Sequence, residues 1–419
     1  MNDLKVIILA AGKGVRMNSD TPKVLHKVCG KTIIEHVLDL AVSVGSLKTY
    51  VVVGHQASQV KDFLGKNIAV VVQKKLLGTA DAVKAASKGL KNFNGDCLIV
   101  CGDTPLLRKE TVLKLIKRHK VSKAACTVLT AIVKDPKGYG RIVRDGNNNI
   151  VGIREEKDAT VSEQNIKEIN VGTYCFKSSE LLSGLSAIKM NTKKKEFYLT
   201  DIVALLSQKS KRVDFVTTDD ASEGFGINDR EDLAAAQDCL RQRILKEFMR
   251  QGVTIVDPAT TFIDQDVKIG RDTTIKPFTV IESHVRIGKN CIIGPFCHLR
   301  PDTTIADHTE VGNFTEVSRS RIGKDCFMKH FSFLGDAMVG NRVNIGAGVV
   351  TANFDGKNKN ATHIHDDAFI GSDSILVAPV VIGKKSATGA GCVLTKGKKV
   401  PAGYVAAGVP ARITSKRKF

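Results

Sequence analysis

The sequence has few aromatic residues, no long apolar run and no Cys-x-x-Cys pair. Aromatic residues make up 5% of the chain, and no RNA-recognition, helix-turn-helix or zinc-finger pattern is present, which argues against nucleic-acid binding. No apolar run reaches the length of a transmembrane helix, and residues 1–5 lack the pattern of a signal peptide. We therefore expect a cytoplasmic protein without a nucleic-acid or membrane partner.

The ten cysteines are scattered and include no Cys-x-x-Cys pair. Disulfide frameworks and metal sites usually show tighter spacing, so we expect reduced, buried thiols. The net charge of +20 leaves two interpretations open, an anionic macromolecular surface or small polyanions beside a solvated basic surface. Without a nucleic-acid-binding motif, nucleotides and coenzyme A are sufficient anionic partners.

The chain of 419 residues is longer than one core usually organises, and its pattern changes near residue 250. Before that point, strand-like runs at 6–9, 50–53 and 98–101 alternate with helical patterns such as 32–44. This alternation predicts a Rossmann-like α/β domain, a parallel sheet with helices on both faces. A helical segment without strong breakers follows up to residue 250.

The second half repeats with a period of six residues. Aliphatic residues stand at Ile287, Ile293, Leu299, Ile305, Val311 and Val317, and aliphatic–glycine pairs recur throughout. Neither an α-helix nor a simple hairpin has this period, whereas a parallel β-helix built from hexapeptides does. Cys291 and Cys297 share the period, so a structural role suffices for them. The sequence therefore predicts a left-handed parallel β-helix after the α/β domain.

A glycine-containing loop, residues 9–17, directly follows the first strand. Small residues let backbone N–H groups approach phosphates, and Arg16 and Lys23 could neutralise a triphosphate. The loop is neither a dinucleotide fingerprint nor a Walker A motif. Taken alone, it is weak evidence.

Further motifs follow in order, and together they resemble a known family. The motifs are Leu9 to Met17, Pro22-Lys23-Val24-Leu25, Gln73, Leu77-Gly78-Thr79-Ala80, Gly102-Asp103, Gly138 to Ile142, Glu155 to Thr160, Glu168-Ile169-Asn170, Tyr198 to Asp201 and Gly226-Ile227-Asn228. With the hexapeptide half, the chain resembles the bifunctional N-acetylglucosamine-1-phosphate uridyltransferase / glucosamine-1-phosphate acetyltransferase family. The resemblance runs from Val6 to about Leu394 and implies a nucleotidyltransferase domain at 1–227, a helical linker at 228–250 and an acetyltransferase β-helix at 251–419.

The resemblance implies uridylyl transfer from UTP to N-acetylglucosamine 1-phosphate in the first domain. The residues carried over are, for the nucleotide, Leu9, Ala10, Gly12, Lys23, Gln73, Gly78 and Thr79; for the sugar, Gly140, Glu155, Asn170, Thr200 and Asn228; for Mg²⁺, Asp103 and Asn228; and for catalysis, Arg16 and Lys23. The sugar phosphate would attack the α-phosphorus of UTP and pyrophosphate would leave. Because the nucleophile is already ionised, no general base is needed, and positioning and charge stabilisation remain.

For the β-helix, the resemblance implies acetyl transfer from acetyl-CoA to glucosamine 1-phosphate. His330 is the implied catalytic base, and the other implied contacts are Arg300, Asn344, Asn353 and Lys359 for the substrate and Ser372 for acetyl-CoA. An imidazole titrates in the range needed to accept a proton from the attacking amine.

Three positions depart from the family in this half. Ser318 replaces a lysine, and Phe333 and Phe354 replace tyrosines. Losing an ammonium and hydroxyls should weaken phosphate binding unless another residue compensates. Arg319 and Arg321 are candidates, although strand alternation would point Arg319 to the other face.

Several alternatives remain open at this stage. The β-helix could only assemble the protein as a trimer, or it could act on another acetyl acceptor. The whole chain could be a non-catalytic scaffold, which the intact Arg16, Lys23, Asp103 and Asn228 argue against. A sugar other than N-acetylglucosamine is a further alternative. The resemblance favours a homotrimer that supplies UDP-N-acetylglucosamine for peptidoglycan or lipopolysaccharide.

Overall fold

A computed structural model describes residues 3–66, 68–191 and 195–416 of the chain. It divides into two compact units, Met1–Cys239 and Leu240–Phe419. The helix Arg230–Arg250 contains the boundary between them. Within the described residues, no helix is both long and apolar enough to cross a bilayer.

The first unit is an α/β domain. Its strands are β1 Leu4–Ala10, β2 Lys27–Val28, β3 Lys31–Thr32, β4 Lys48–Val53, β5 Ala69–Val72, β6 Asp96–Cys101, β7 Cys126–Ile132, β8 Arg141–Arg144, β9 Ile150–Arg154, β10 Glu168–Lys177 and β11 Val213–Thr217. The helices are α1 Ile33–Ser43, α2 Ala57–Leu64, α3 Thr79–Ala86, α4 Lys109–Ser122, α5 Val161–Gln164, α6 Ser178–Ala187, α7 Asp201–Gln208 and the first part of α8 Arg230–Arg250, which continues into the second unit.

The main sheet has the order β11-β7-β10-β6-β1-β4-β5. Alternate residues of β1 enter different cores, Val6 and Ile8 on one face and Ile7 on the other, so both faces are covered as predicted. The sheet is not fully parallel, because β10 runs antiparallel to both β6 and β7. The hairpin β8–β9 separates β7 from β10 in place of a crossover helix, so the chain returns in the opposite direction.

Helix α1 shows how local sequence sets an element's start. The Thr32 side chain accepts a hydrogen bond from the Glu35 backbone, and the Glu35 carboxylate accepts one from the Thr32 backbone. This capping box satisfies two of the free N–H groups at the helix start. The predicted helix over 32–44 is therefore confirmed within one residue at each end.

The second unit is a β-helix with three parallel faces, as predicted. Its first face holds β12 Thr254–Ile255, β15 Thr274–Ile275, β18 Ile292–Ile293, β21 Glu310–Val311, β24 Phe327–Met328, β27 Asn344–Ile345, β30 Phe369–Ile370, β33 Ala387–Thr388 and β36 Tyr404–Ala407, with β37 Arg412–Lys416 paired antiparallel at the end. The second face holds β13 Phe262–Ile263, β16 Val280–Ile281, β19 Cys297–Leu299, β22 Thr315–Ser318, β25 Ser332–Gly335, β28 Val350–Ala352, β31 Ile375–Val377 and β34 Val393–Leu394. The third holds β14 Lys268–Ile269, β17 Arg286–Ile287, β20 Thr304–Ile305, β23 Arg321–Ile322, β26 Ala337–Val339, β29 Thr362–Ile364, β32 Val380–Ile382 and β35 Lys399–Val400.

The six-residue period corresponds to one face of a coil. Ile293, Leu299 and Ile305 lie on successive faces, and all three enter one continuous core together with Cys291 and Cys297. The glycine of each aliphatic–glycine pair is needed for close packing: a Cβ on Gly288 would lie 2.4 Å from Asp307 Oδ1. Among these glycines Gly294 also has a positive φ, and at the other corners left-handed backbone is carried by residues at the same period, such as Asn290.

Candidate functional site

The loops after β1 and β6 meet at one edge of the first unit's sheet. These two strands are parallel neighbours, so the glycine-containing loop of residues 9–17 and the loop that carries Asp103 begin at adjacent positions. Gly14 has φ +59, and a Cβ there would lie 2.9 Å from Lys23 Cβ. Glycine is therefore required for the turn that folds Lys23 back against the loop.

Lys23 and Asp103 form an ion pair within this edge. Lys23 Nζ lies 2.5 Å from Asp103 Oδ2, and the two side chains are 12% and 25% exposed. Arg16, in the 3-10 helix Val15–Met17, is exposed, and among the described residues no carboxylate pairs with it. A polyphosphate entering here meets one free guanidinium and one ammonium that is already oriented.

A cavity of about 560 Å³ opens beside this pair. Its lining includes Leu9, Gly12, Gln73, Gly78, Thr79, Asp103 and Glu155, all of which the sequence predicted. Lys23 and Ala10 line a smaller cavity that shares Leu9, Gly12 and Asp103 with it. The structure thus brings the predicted nucleotide residues together around one cleft.

Gln73, Gly78 and Thr79 form one end of the cleft. Gln73 is buried, and its Nε2 donates to Gly78 O at 3.1 Å and to Asp81 Oδ2 at 2.7 Å. These bonds fix the side-chain amide with Oε1 as the remaining acceptor. Thr79 is the first residue of α3, and its Oγ1 accepts a bond from Leu199 N.

Four of the five predicted sugar residues form two linked pairs, and the fifth, Asn228, is described below. Asn170 N donates to Gly140 O at 2.8 Å, at the point where the β10–β7 register shifts. Thr200 Oγ1 donates to Glu155 Oε1 at 2.8 Å. Burial raises the pKa of Glu155, and the Thr200 hydrogen bond offsets part of that rise. Of these four residues, only Glu155 is among the cavity lining.

A backbone hydrogen bond holds the segment that contains Asn228 to Asp103. Ile227 N donates to Asp103 O at 3.0 Å, and a Cβ on Gly226 would lie 3.8 Å from Asp103 Oδ1. Asn228 Nδ2 donates to Gly226 O, so its Oδ1 remains as an acceptor. The carboxylate of Asp103 and the amide of Asn228 therefore come from segments held to each other.

Sequence reasoning missed Cys101 in the cleft lining. It is the last residue of β6, two positions before Asp103, and burial raises its pKa to about 12. Its Sγ contacts Gly172 O at 3.6 Å. Strand alternation back from Asp103 could have indicated it.

In the second unit, the predicted acetyl-transfer residues divide between two corners of the β-helix. His330 and Ser372 lie at the first corner, between the first and second faces, and both are exposed. Arg300, Asn353 and Lys359 lie at the second corner, between the second and third faces. Between these corners runs the four-residue strand β25, which spans about 13 Å. Asn344 lies on the first face. The strand between the two corners therefore separates the two groups of residues within one chain.

The expectation that Arg319 points away from Ser318 is wrong. Strand β22 ends at Ser318, and Arg319 turns the corner with φ +48, so alternation no longer applies. Arg319 Nη1 donates to Ser318 Oγ at 2.7 Å, while Nε and Nη2 donate to the two oxygens of Asp336. This pairing lowers the pKa of Asp336, to which Asn353 Nδ2 also donates.

Phe333 reaches the same corner from the second face. A Cβ on Gly335 would lie 2.8 Å from Phe333 Cζ and 2.7 Å from Asn353 Nδ2. The tip of the ring, where a tyrosine would carry its hydroxyl, therefore lies beside the Arg319–Asp336–Asn353 group.

Both units match known protein families. Residues 6–189 match the MobA-like NTP transferase domain. Residues 261–300 and 284–319 match the bacterial transferase hexapeptide family, and 362–396 match the hexapeptide repeat of succinyl-transferase.

Whole-length relatives share one name, bifunctional protein GlmU. The protein from Shouchella clausii is 42% identical over 422 residues, 93% of this chain and 93% of its own length. That of a Geobacillus species is 43% identical, with 93% and 92% covered, and that of Heliobacterium modesticaldum is 41% identical, with 97% and 95% covered. A solved structure, a putative glucose-1-phosphate thymidylyltransferase from Bacillus anthracis in complex with a sucrose, aligns at 21% identity with a TM-score of 0.47, covering 56% of this chain and 94% of its own. At that level it supports no inference.

The resemblance found in the sequence is thereby confirmed over nearly the whole chain. The chain belongs to the family of bifunctional GlmU proteins, and it is a transferase in which a nucleotidyltransferase domain precedes a domain of hexapeptide repeats.

Proposed function

We propose that the first unit transfers uridylyl from UTP to N-acetylglucosamine 1-phosphate, giving UDP-N-acetylglucosamine and pyrophosphate. One observation carries this proposal. The Lys23–Asp103 ion pair borders a cavity whose lining includes both Gln73 and Glu155. A base, a triphosphate and a sugar phosphate have complementary groups along that cleft.

The triphosphate is bound by charge and by the loop backbone. Arg16 and Lys23 neutralise phosphate oxygens, and the residues around Gly12 let N–H groups approach them. An oxygen of the sugar phosphate attacks the α-phosphorus, the bond to the β-phosphate oxygen breaks, and pyrophosphate leaves. Because the attacking oxygen is already ionised, these residues position the groups and stabilise charge rather than remove a proton.

The cleft also fits Mg²⁺. Asp103 and Asn228 offer a carboxylate and an amide oxygen, the hard ligands this ion prefers, and few enough to leave room for phosphate oxygens. When bound, Mg²⁺ supplies charge stabilisation for the phosphates. Lys23 already holds the Asp103 carboxylate in place for this role.

Selection of the base and the sugar follows from the two ends of the cleft. Gln73 Oε1 is an acceptor for the N3–H of uracil, and its orientation is fixed by Gly78 and Asp81. Glu155, held by Thr200, accepts from sugar hydroxyls. We assign Asn170 and Gly140, which are joined by the bond from Asn170 N to Gly140 O, to the N-acetyl sugar as well.

For the second unit we infer acetyl transfer from acetyl-CoA to glucosamine 1-phosphate. The amine attacks the thioester carbonyl, the carbon–sulfur bond breaks, coenzyme A leaves as a thiol, and His330 accepts the amine proton. Ser372 shares the corner of His330 and contributes to coenzyme A binding, and Asn344 on the first face contacts the substrate. Arg300, Asn353 and Lys359 at the other corner bind the sugar phosphate.

The division of these residues between two corners supports a homotrimer. A site that needs both corners is completed when the first corner of one chain faces the second corner of another. In the phosphate subsite, Arg319 stands in for the lysine that Ser318 replaces, since its guanidinium lies against Ser318 Oγ. The missing hydroxyls at Phe333 and Phe354 are not replaced in this way.

These substrates also suggest where the protein acts. UTP and acetyl-CoA are cytoplasmic metabolites, and none of the ten cysteines forms a disulfide, as expected in a reducing compartment. The product serves synthesis of cell-wall polymers.

Two assays test the two activities separately. Pyrophosphate release from UTP should require Mg²⁺ and N-acetylglucosamine 1-phosphate, and should be much slower with glucose 1-phosphate, which lacks the acetamido group. Thiol release from acetyl-CoA should require glucosamine 1-phosphate and be lost in His330→Ala, but not in His363→Ala, an exposed histidine on the third face. Pyrophosphate release without thiol release would make the β-helix an assembly scaffold or indicate another acetyl acceptor.

A further inference from the structure

A second cluster of chemically reactive side chains lies at the opposite end of β6 from the cleft. It comprises Asp96, the first residue of β6, His119 in the last turn of α4, and Cys175 on β10. Since β6 ends at Cys101 in the cleft lining, its six residues separate the cluster from the cleft by roughly 17 Å. The proposed transferase chemistry uses none of these three residues.

His119 is oriented by a hydrogen bond on one ring nitrogen only. Nδ1 lies 2.9 Å from Thr127 Oγ1, and the side chain is 1% exposed. Nε2 lies 3.4 Å from Asp96 Oδ1, yet it has no hydrogen-bond partner among the described residues. A buried polar nitrogen without a partner is costly, so its surroundings require an explanation.

The groups facing Nε2 are a carboxylate and a thiol. If Nδ1 donates to Thr127, Nε2 carries a lone pair, and an ionised Asp96 offers only further lone pairs. Cys175 is fully buried, and its Sγ lies within 4.8 Å of His119 Nε2 and of the Asp96 carboxylate oxygen. A proton keeps this thiol neutral, and a cation bound between the three groups would replace that proton.

We propose that Asp96, His119 and Cys175 bind one divalent transition-metal ion of the zinc class. The ligand atoms, a carboxylate oxygen, Nε2 and Sγ, all lie within 4.8 Å of one another. Bonds of about 2.0–2.3 Å in a tetrahedral site require ligand atoms roughly 3.3–3.8 Å apart, so small side-chain shifts suffice. Binding converts the Cys175 thiol to a thiolate and releases its proton to solvent.

The ligand set selects the class of ion. Thiolate and imidazole favour Zn²⁺ over Mg²⁺ or Ca²⁺, which prefer oxygen. The bond between His119 Nδ1 and Thr127 Oγ1 holds the ring in an orientation that presents Nε2 to the other two groups, as an outer partner does in zinc sites. The Asp96 side chain is 14% exposed, so it is the ligand through which the proposed site reaches solvent, and a water would be the fourth ligand. The site would tie together β6, α4 and β10.

Cobalt titration of the full-length, chelator-treated protein tests the site. Excess Mg²⁺ is included to occupy the cleft. We expect one Co²⁺ per chain, with a thiolate-to-cobalt charge-transfer band that added Zn²⁺ removes. The band should be lost in Cys175→Ala and kept in Cys101→Ser, the matched control for a cysteine near the cleft.

Asp96→Asn provides an independent test, because this residue is partly exposed and the variant should fold. We expect the Co²⁺ affinity to fall by at least about tenfold, the lower limit seen even for outer-sphere partners. No charge-transfer band in the unchanged protein, or a band that survives in Cys175→Ala, would overturn the proposal. If Cys175→Ala does not fold, an unaltered titration in Asp96→Asn would do the same.

Discussion

Lys23 Nζ lies 2.5 Å from Asp103 Oδ2, although 80 residues separate the two in the chain. The pair joins the loop after β1 to the loop after β6, at the point where two parallel neighbours end. A substitution of Asp103 therefore tests the proposed uridylyl transfer directly.

Asp103→Asn should abolish most of the pyrophosphate release. The amide keeps an acceptor for Lys23 but loses the charge that Mg²⁺ requires, so we expect kcat to fall about 10²–10³-fold. The Mg²⁺ concentration for half-maximal rate should also rise. Asp39→Asn, which removes the exposed partner of Lys31, is the control and should leave both values unchanged. Equal kinetics for the two variants would remove Asp103 from the proposed role.

Gly78→Ala should destabilise the first unit. Gly78 has φ +103, and an added Cβ would lie 2.5 Å from Phe197 O and 2.9 Å from Phe197 N. Strain of this kind costs about 1–3 kcal/mol, measurable by urea unfolding. Gly146→Ala should cost little, because nothing lies within 4 Å of its added Cβ. A similar loss in both variants would contradict the steric explanation.

Glu155→Gln should raise the stability of the folded protein at pH 7 while it weakens sugar binding. Burial raises the pKa of Glu155 in the folded protein, so the folded state binds this proton more tightly than the unfolded chain. The contribution of Glu155 to stability is fully present below its unfolded pKa and is lost as pH rises through the folded pKa.

At pH 7 the Gln variant should therefore be more stable by about 0.5–2 kcal/mol, while sugar binding weakens. Thermal unfolding across pH 4–8, compared with the KM for the sugar phosphate, tests both effects. An unchanged KM would separate Glu155 from the sugar.

Arg319→Met should destabilise the β-helix in a pH-dependent way. Arg319 lowers the pKa of Asp336, so the pair contributes stability above the unfolded pKa of that carboxyl. The contribution is lost as pH falls through the lowered, folded pKa. We expect a loss of about 1 kcal/mol at pH 7 that shrinks in acid, compared with no loss in Arg321→Met, whose side chain is exposed on the third face. A loss that is constant with pH would mean packing rather than charge.

Leu334→Ala should strongly destabilise the second unit. Leu334 is fully buried in the continuous core of the β-helix, and truncation leaves a cavity worth about 2–5 kcal/mol. Met338→Ala, on the outward side and 42% exposed, should change stability by less than about 0.5 kcal/mol. Urea midpoints of the two variants give the comparison.

Features that depend on local periodicity could be predicted from the order of the residues. The six-residue repeat predicted which residues enter the β-helix core, because most faces take six residues. The spacing shortens to five between Val317 and Ile322 and between Leu334 and Val339. The same is true of three elements in the first unit, whose sequence signals lie within a few neighbouring residues. They are strand β1, the helix capped by Thr32 and the glycine-containing loop.

Contacts that depend on strand order, or on the corners of the β-helix, could not be predicted in this way. The pairing of Lys23 with Asp103 and the meeting of Asp96, His119 and Cys175 require distant segments to lie side by side. The direction of Arg319 depends on one left-handed residue that interrupts strand alternation. Local patterns carry no record of these contacts, since the order of strands in a sheet is set by how the helices and hairpins between them pack.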